Sequence, residues 1–321
     1  RRTLTMPNYN GVWSLSTQYQ YAADWPDPPD ATIGLYFGGF TGSYTNVIQQ
    51  LSFISGVDAT DFGDLTTVTY DGAAVSSSTR GISAGGSNGS EIINIIDYVT
   101  IASAGNATDF GDLTTVKRSM GGGGNSTRGI FAGGSTGSNV NVIEYITIDT
   151  TGNSTDFGDL SAVRFASAGL GSSTRTIFLG GNNGSAYVDI IEYVTTGSTG
   201  NATDFGNLLS AQAYTGGSSN SIRGLYFGGY DGSTQNVIQY ITIATTGNAT
   251  DFGDLLTAGW LHASCASPIT ALALGGNNSS SRINTIQGVT IATTGNSTDF
   301  GDLTVAVQNF AACSNGHGGL G

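Results

Sequence analysis

The chain has 321 residues, 38% hydrophobic and only 10% charged, with 50 glycines and a formal net charge of −13. That balance argues against nucleic-acid binding, which needs cations to neutralise phosphates. No apolar run approaches the roughly 20 residues that cross a bilayer, so membrane insertion is not expected either. Glycine, serine, threonine, asparagine and β-branched residues dominate, which favours many short strands joined by tight turns over helices.

Residues 1–32 differ in character from the rest of the chain. They carry Trp13 and Trp25, Gln18-Tyr19-Gln20-Tyr21 and Trp25-Pro26-Asp27-Pro28-Pro29. Prolines at this density favour an extended connector, and the aromatics suggest a segment that packs on a partner. The start, Arg1-Arg2-Thr3-Leu4, has no apolar core of a signal peptide. No methionine precedes it, as expected of a processed or truncated N-terminus.

From Ile33 to Gly321 one pattern repeats. Asp-Phe-Gly-Asp-Leu begins at Asp61, Asp109, Asp156, Asp251 and Asp299, and Asp-Phe-Gly-Asn-Leu at Asp204. Successive spacings are 48, 47, 48, 47 and 48 residues. A fixed period of this size marks one supersecondary unit per repeat. In the clearest unit a first strand is predicted near Val116–Gly122, a second at 128–132 ending in Gly133-Gly134, a third at 142–148 and a fourth at 155–160. Four short strands per period make one propeller blade. Six glycine pairs and six Asp-Phe-Gly stretches predict six blades. The chain enters on a second strand and leaves on a first strand, Val305–Cys313. The expected fold is therefore an all-β six-bladed propeller, its ring closed by the C-terminal strand completing the first blade. Such closure leaves no open sheet edge.

Several side chains recur at blade period. Phe62, Phe110, Phe157, Phe205, Phe252 and Phe300 are expected to anchor between blades, with the adjacent glycine allowing the turn. Asp-Phe-Gly at this period is not a kinase motif, which needs one copy beside a catalytic loop and a strand lysine. Asn106, Asn153, Asn201, Asn248 and Asn296 form Asn-x-Thr sequons, read here as asparagine turns with a threonine partner. Arg80, Arg128, Arg175 and Arg223 precede the glycine pairs by five residues. They are expected to pair with the third-strand positions Gln49, Asp97, Glu144, Glu192, Gln239 and Gln287 wherever these are acidic. Cys265 and Cys313 occupy equivalent sites in adjacent units. They are either buried free thiols or, if the units approach closely there, a disulfide. His262 and His317 are isolated, and no cofactor, metal site or catalytic constellation is expected.

The order of a strand, an arginine, a hydrophobic strand ending in Gly-Gly, Glu-Tyr, and then an aromatic three residues before a leucine resembles a kelch-type β-propeller. Phe110 and its equivalents stand where kelch repeats carry tryptophan. Thr-Gly-Asn-Ala-Thr-Asp-Phe-Gly-Asp-Leu-Thr together with Ser-Thr-Arg-Gly-Ile-Phe-Ala-Gly-Gly looks like the kelch-like repeats of marine tailed-phage structural proteins. The segment 11–26 looks like a piece those virion proteins carry. The resemblance implies a non-enzymatic virion protein acting as a tail fibre, tip or surface decoration. It would be joined to other virion proteins through its N-terminal segment and would bind a host surface glycan or protein. A secreted or cell-surface lectin-like adhesin is the alternative. The loops after the glycine pairs lie on one face of such a propeller and vary most between units. Their residues Phe40, Tyr44, Asn88, Asn182, Tyr187, Tyr230, Asp231 and Arg282 are the candidate binding positions.

Overall fold

The computed structural model describes residues 32–53 and 58–320. The expected N-terminal attachment segment, apart from Thr32, lies outside the described residues. The rest is a ring of six four-stranded antiparallel sheets. The first blade holds β1 (Ile33–Phe40), β2 (Tyr44–Ser52) and β3 (Thr60–Asp64). The second runs β4 (Ala73–Ser76), β5 (Arg80–Ala84), β6 (Ile95–Thr100) and β7 (Thr108–Asp112). The third is β8 (Gly121–Gly124), β9 (Arg128–Ala132), β10 (Val142–Thr147) and β11 (Thr155–Asp159). The fourth is β12 (Ala168–Gly171), β13 (Arg175–Leu179), β14 (Ile190–Thr195) and β15 (Thr203–Asn207). The fifth is β16 (Gly217–Ser219), β17 (Arg223–Tyr230), β18 (Thr234–Thr242) and β19 (Thr250–Asp254). The sixth is β20 (Ala263–Ala266), β21 (Thr270–Leu274), β22 (Thr285–Thr290) and β23 (Thr298–Asp302). The final strand, β24 (Ala311–Ser314), pairs with β1 and completes the first blade. Among the described residues no helix is long and apolar enough to cross a membrane.

The first strand of each blade begins later than its apolar pattern suggested. In the third blade it is Gly121–Gly124, because Ser119 turns into the left-handed region at φ 56°. Asp71, Ala166, Tyr214, Leu261 and Asn309 do the same at equivalent positions. Each of these residues donates its N–H to the carbonyl of its counterpart in the neighbouring blade, at 2.6–3.0 Å, around the whole ring. Six such bonds close a belt around the axis. Left-handed backbone is costly for alanine, tyrosine and leucine, about 1–3 kcal/mol each, and the belt is what over-determines it.

The inner strands pack face to face by matching sizes. Cβ on Gly129 would lie 2.5 Å from Val75, on Gly224 2.7 Å from Leu170, and on Gly34 3.0 Å from the Cys265 sulfur. In the third blade the inner residue is itself a glycine, Gly123, and it faces Thr176 across the seam. Large meets small at each of these seams, as native packing density demands. Cys265 and Cys313 are buried free thiols. Burial pushes both thiols up, Cys313 to about 12.

Three further contacts pin adjacent blades. The third-strand acid or amide at positions 49, 97, 144, 192, 239 and 287 accepts a backbone N–H from the turn after Asp-Phe-Gly in the preceding blade, at all six seams. Asn106, Asn153, Asn201, Asn248 and Asn296, with Asp58 in the first unit, accept a backbone N–H from the last residue of the preceding outer strand. The sequon asparagines are thus clamps between blades rather than turn-formers bonded to threonine. The arginines behave differently from expectation too. Arg80, Arg128, Arg175 and Arg223 each donate to a carbonyl at the end of the next blade's third strand, and each lies 4.5–4.8 Å over the tyrosine of its own blade. They do not pair with the acids. Glu144 pairs instead with Lys117, and Glu192 with Arg164 at 2.9 Å. The physical reason is reach: the guanidinium projects to the rim, while the acid points inward along the seam to a cation in the preceding linker.

The repeat phenylalanines are buried, apart from the half-buried Phe300. Phe110 joins Ile146 and Ile148 of the next blade in one apolar cluster, which is the anchoring expected of it.

Candidate functional site: the loop face and axial mouth

At the end of each second strand the glycine pair turns the chain out of the sheet. Both glycines have positive φ, for example 65° and 98° at Gly133 and Gly134, a conformation that side chains strain to adopt. The residue after the pair then bridges back to the residue just before the axial belt. The bridges are Phe40 with Gln308, Tyr70 with Ser87, Arg118 with Ser135, Phe165 with Asn182, Ala213 with Tyr230, and Trp260 with Asn277. Loop residues and belt residues from all six blades are therefore gathered on one face, around the mouth of the axial channel.

The aromatic and basic side chains there form two contiguous runs. In the first, Arg282 lies 5.2 Å over the Phe40 ring. Phe40 lies 5.3 Å from Tyr44, and Tyr44 stacks on Tyr70 at 4.4 Å with 16° between the planes. Arg118 Nη1 then donates to the Tyr70 hydroxyl at 3.5 Å. In the second run, Phe165 meets Tyr214, Tyr214 meets Trp260, Trp260 meets Tyr230 and Tyr230 meets Tyr187, with centroids 4.9–6.0 Å apart. Edge-on and offset ring pairs of this kind add to the energy of burial.

The candidate loop residues divide accordingly. Phe40, Tyr44 and Arg282 come together in the first run, and Tyr187 and Tyr230 in the second. Asn88, Asn182 and Asp231 use their side-chain oxygens within their own loops, accepting backbone N–H groups two or three residues on. They shape the loops, as asparagine and aspartate do in turns. Sequence reasoning passed over Tyr70, Arg118, Phe165, Tyr214 and Trp260. A signal for four of them was present. The positions 70, 118, 165, 213, 260 and 308 recur at blade period and are rich in large side chains.

The mouth itself is polar. Asp71 accepts from Ser119 Oγ at 2.5 Å. Burial raises its pKa, opposed by that bond and by the Arg118 charge. Burial also raises Tyr214, with contributions from Tyr187 and Asp71, while Arg118 acts the other way. Tyr214, Asp71 and Arg118 thus share one electrostatic environment at the axial mouth. Below it lies a void of about 90 Å³ lined by Ser167, Thr215, His262 and Ser264 among others. The buried hydroxyls of Ser167 and Ser264 have no protein partner, so the void suits ordered water.

The opposite end of the channel is covered by the C-terminus. A single 3-10 turn, Gly318–Leu320, crosses it. Ser126 N–H donates to Gly319 O, and the His317 ring bonds both Ser76 O and Gly319 N–H. Because Nδ1 accepts, Nε2 carries the proton, and burial lowers the pKa of this neutral ring. His317 therefore holds a plug, and His262 bonds Phe227 O from inside the sheet at 3.0 Å. Neither histidine is incidental to the fold.

No family of known proteins matches the chain, and no curated protein is significantly similar to it.

Proposed function

We propose that the protein is a non-enzymatic recognition module that docks a surface glycan or protein on the loop face, serving attachment or surface decoration in a phage virion. The observation that supports recognition is the pair of aromatic runs around the axial mouth. Large rings are gathered there from separate loops onto a rigid ring, which is how binding residues are commonly displayed. The virion setting rests on the repeat words and the 11–26 segment, as does a kelch-type affiliation. In this reading the partners are other virion proteins and a host surface, and the location is the virion. A secreted or cell-surface lectin-like adhesin would use the same face in an extracellular setting.

Two measurements test this reading. Peptide mass spectrometry on density-purified virus particles, beside the particle-free fraction, should find the protein enriched in particles at fixed stoichiometry. Abundance in the free fraction alone would favour the adhesin. Binding to host cells or a glycan array should fall at least tenfold on Trp260→Ala, while the melting temperature stays within a few degrees. Unchanged binding would remove the loop face from the function.

A further inference from the structure

The distribution of positive charge narrows what the loop face would accept. The chain has ten basic residues. Arg1 and Arg2 lie outside the described residues. Lys117 and Arg164 are consumed by buried ion pairs. Arg80, Arg128, Arg175 and Arg223 are consumed by carbonyl clamps between blades. Only Arg118 and Arg282 are left without an ion-pair or backbone commitment among the described residues. Both lie on the loop face, and they stand at the two ends of one aromatic run, Phe40, Tyr44 and Tyr70. The second run, on the other side of the mouth, has no basic residue in it.

We infer that the Arg282–Phe40–Tyr44–Tyr70–Arg118 strip is a binding site for an anionic oligosaccharide, one bearing carboxylate or sulfate groups. This rests on the recognition reading above and adds the ligand class. A guanidinium presents a planar fork that takes a carboxylate or sulfate through two parallel hydrogen bonds. Tyr44 and Tyr70 offer the half-exposed ring surface and hydroxyls that contact a pyranose. Asp71 lies near enough for the Arg118 charge to act on it, and its carboxyl also accepts from Ser119 Oγ, so the Arg118 charge is only partly offset. The overall −13 does not prevent binding, because charges more than about 8 Å away are screened at physiological ionic strength. Two cations are too few for a phosphate backbone, whose affinity comes from releasing many counterions. A sparsely charged glycan needs no more than one guanidinium per acidic sugar.

The test uses the full chain and three soluble probes of matched length: an oligogalacturonate, a sulfated oligosaccharide and a neutral oligosaccharide, by calorimetry at 50 and 300 mM salt. The expected result is binding of an acidic probe that weakens severalfold with salt, and weaker binding of the neutral one. Arg118→Gln and Arg282→Gln should each reduce acidic-probe affinity about tenfold. Arg282→Lys should restore only part, since it keeps charge but loses the fork. Arg128→Gln, which alters a rim clamp far from the strip, should bind normally, and each variant's melting curve confirms folding. Equal affinity for neutral and acidic probes, or indifference to both arginine substitutions, would overturn the charge inference while leaving a recognition face intact. Binding of an acidic peptide with these same dependences, and of no glycan, would overturn the ligand class. Absence of any ligand on the face, with Trp260→Ala silent as well, would remove the recognition reading itself.

Discussion

Replacing Lys117 by methionine probes the seam chemistry most directly. Lys117 and Glu144 are buried together, with side chains 1% and 0% exposed. Burial pushes Glu144 up, but the Lys117 charge and bonds from Lys117, Ser154 and Thr114 outweigh it, and the net pKa is lowered. Removing the cation leaves a buried carboxylate without its counter-charge, which costs about 3–5 kcal/mol. At ~2 °C per kcal/mol for a domain of this size, the melting temperature should drop by about 6–10 °C at pH 7. The pH dependence carries the sign. In the parent protein Glu144 has a depressed pKa, so its stabilisation is present at neutral pH and is lost as pH falls through the folded value. In Lys117→Met burial is opposed only by the bonds from Ser154 and Thr114, the pKa rises, and acid relieves the cost. The gap between the two proteins should therefore narrow as pH is lowered from 7 to 4. Lys117→Met/Glu144→Gln should recover most of the loss, because the fifth blade already carries Gln212 and Gln239 at these positions. Thermal and urea melts across pH measure all of this. A loss below about 1 kcal/mol, a gap that does not change with pH, or strict additivity in the double variant would refute the reasoning.

Four other substitutions have expected outcomes. Asp97 bonds Thr66 without any cation, and burial raises its pKa. A carboxyl with a raised folded pKa destabilises at neutral pH and recovers in acid, so Asp97→Asn should raise the pH 7 melting temperature, with the benefit shrinking as pH falls. Burial lowers His262 to about 4, so the unfolded chain takes up a proton near pH 6.5 that the folded one refuses. That stability, about 3 kcal/mol, should be lost between pH 6.5 and 4, and His262→Gln should flatten the decline. Gly111→Ala places a Cβ 2.5 Å from Gly152 of the next blade at φ 146° and should cost about 2–3 kcal/mol in urea melts. Gly105→Ala meets no atom within 4 Å and should change stability by less than about 0.5 kcal/mol.

The outer rim is not uniform, and the loop face compensates for it. The clamp position is Arg in the second to fifth blades but Ile33 in the first and Thr270 in the sixth. The two seams lacking an arginine clamp therefore flank the first blade, where the ring closes. On the loop face those seams carry Arg282 over Phe40 and Tyr44 on Tyr70. The first aromatic run thus both staples the closing blade and builds the strip assigned to the anionic glycan. This is why the arginine variants need a folding control.

What the sequence determined by itself is whatever repeats. The period, the six glycine pairs and the offset between the first and last strands settle the blade count and the closure, because an unpaired strand at one end of the chain must meet the gap at the other. Periodicity also marks the seam phenylalanines, since each unit buries the same face. The partners of polar side chains were not legible. Arg128 and Glu144 lie on strands that pair directly, yet the arginine reaches the next blade and the acid reaches Lys117, for a repeat fixes positions within a unit and not the direction in which a long side chain leaves it. Tyr44 and Tyr70 are 26 residues apart and come from different blades, and Phe40 and Arg282 are 242 apart. Stacking of consecutive blades makes Tyr44 and Tyr70 neighbours, and closing the ring does the same for Phe40 and Arg282, so the aromatic strip and the complete axial belt exist only in the assembled propeller.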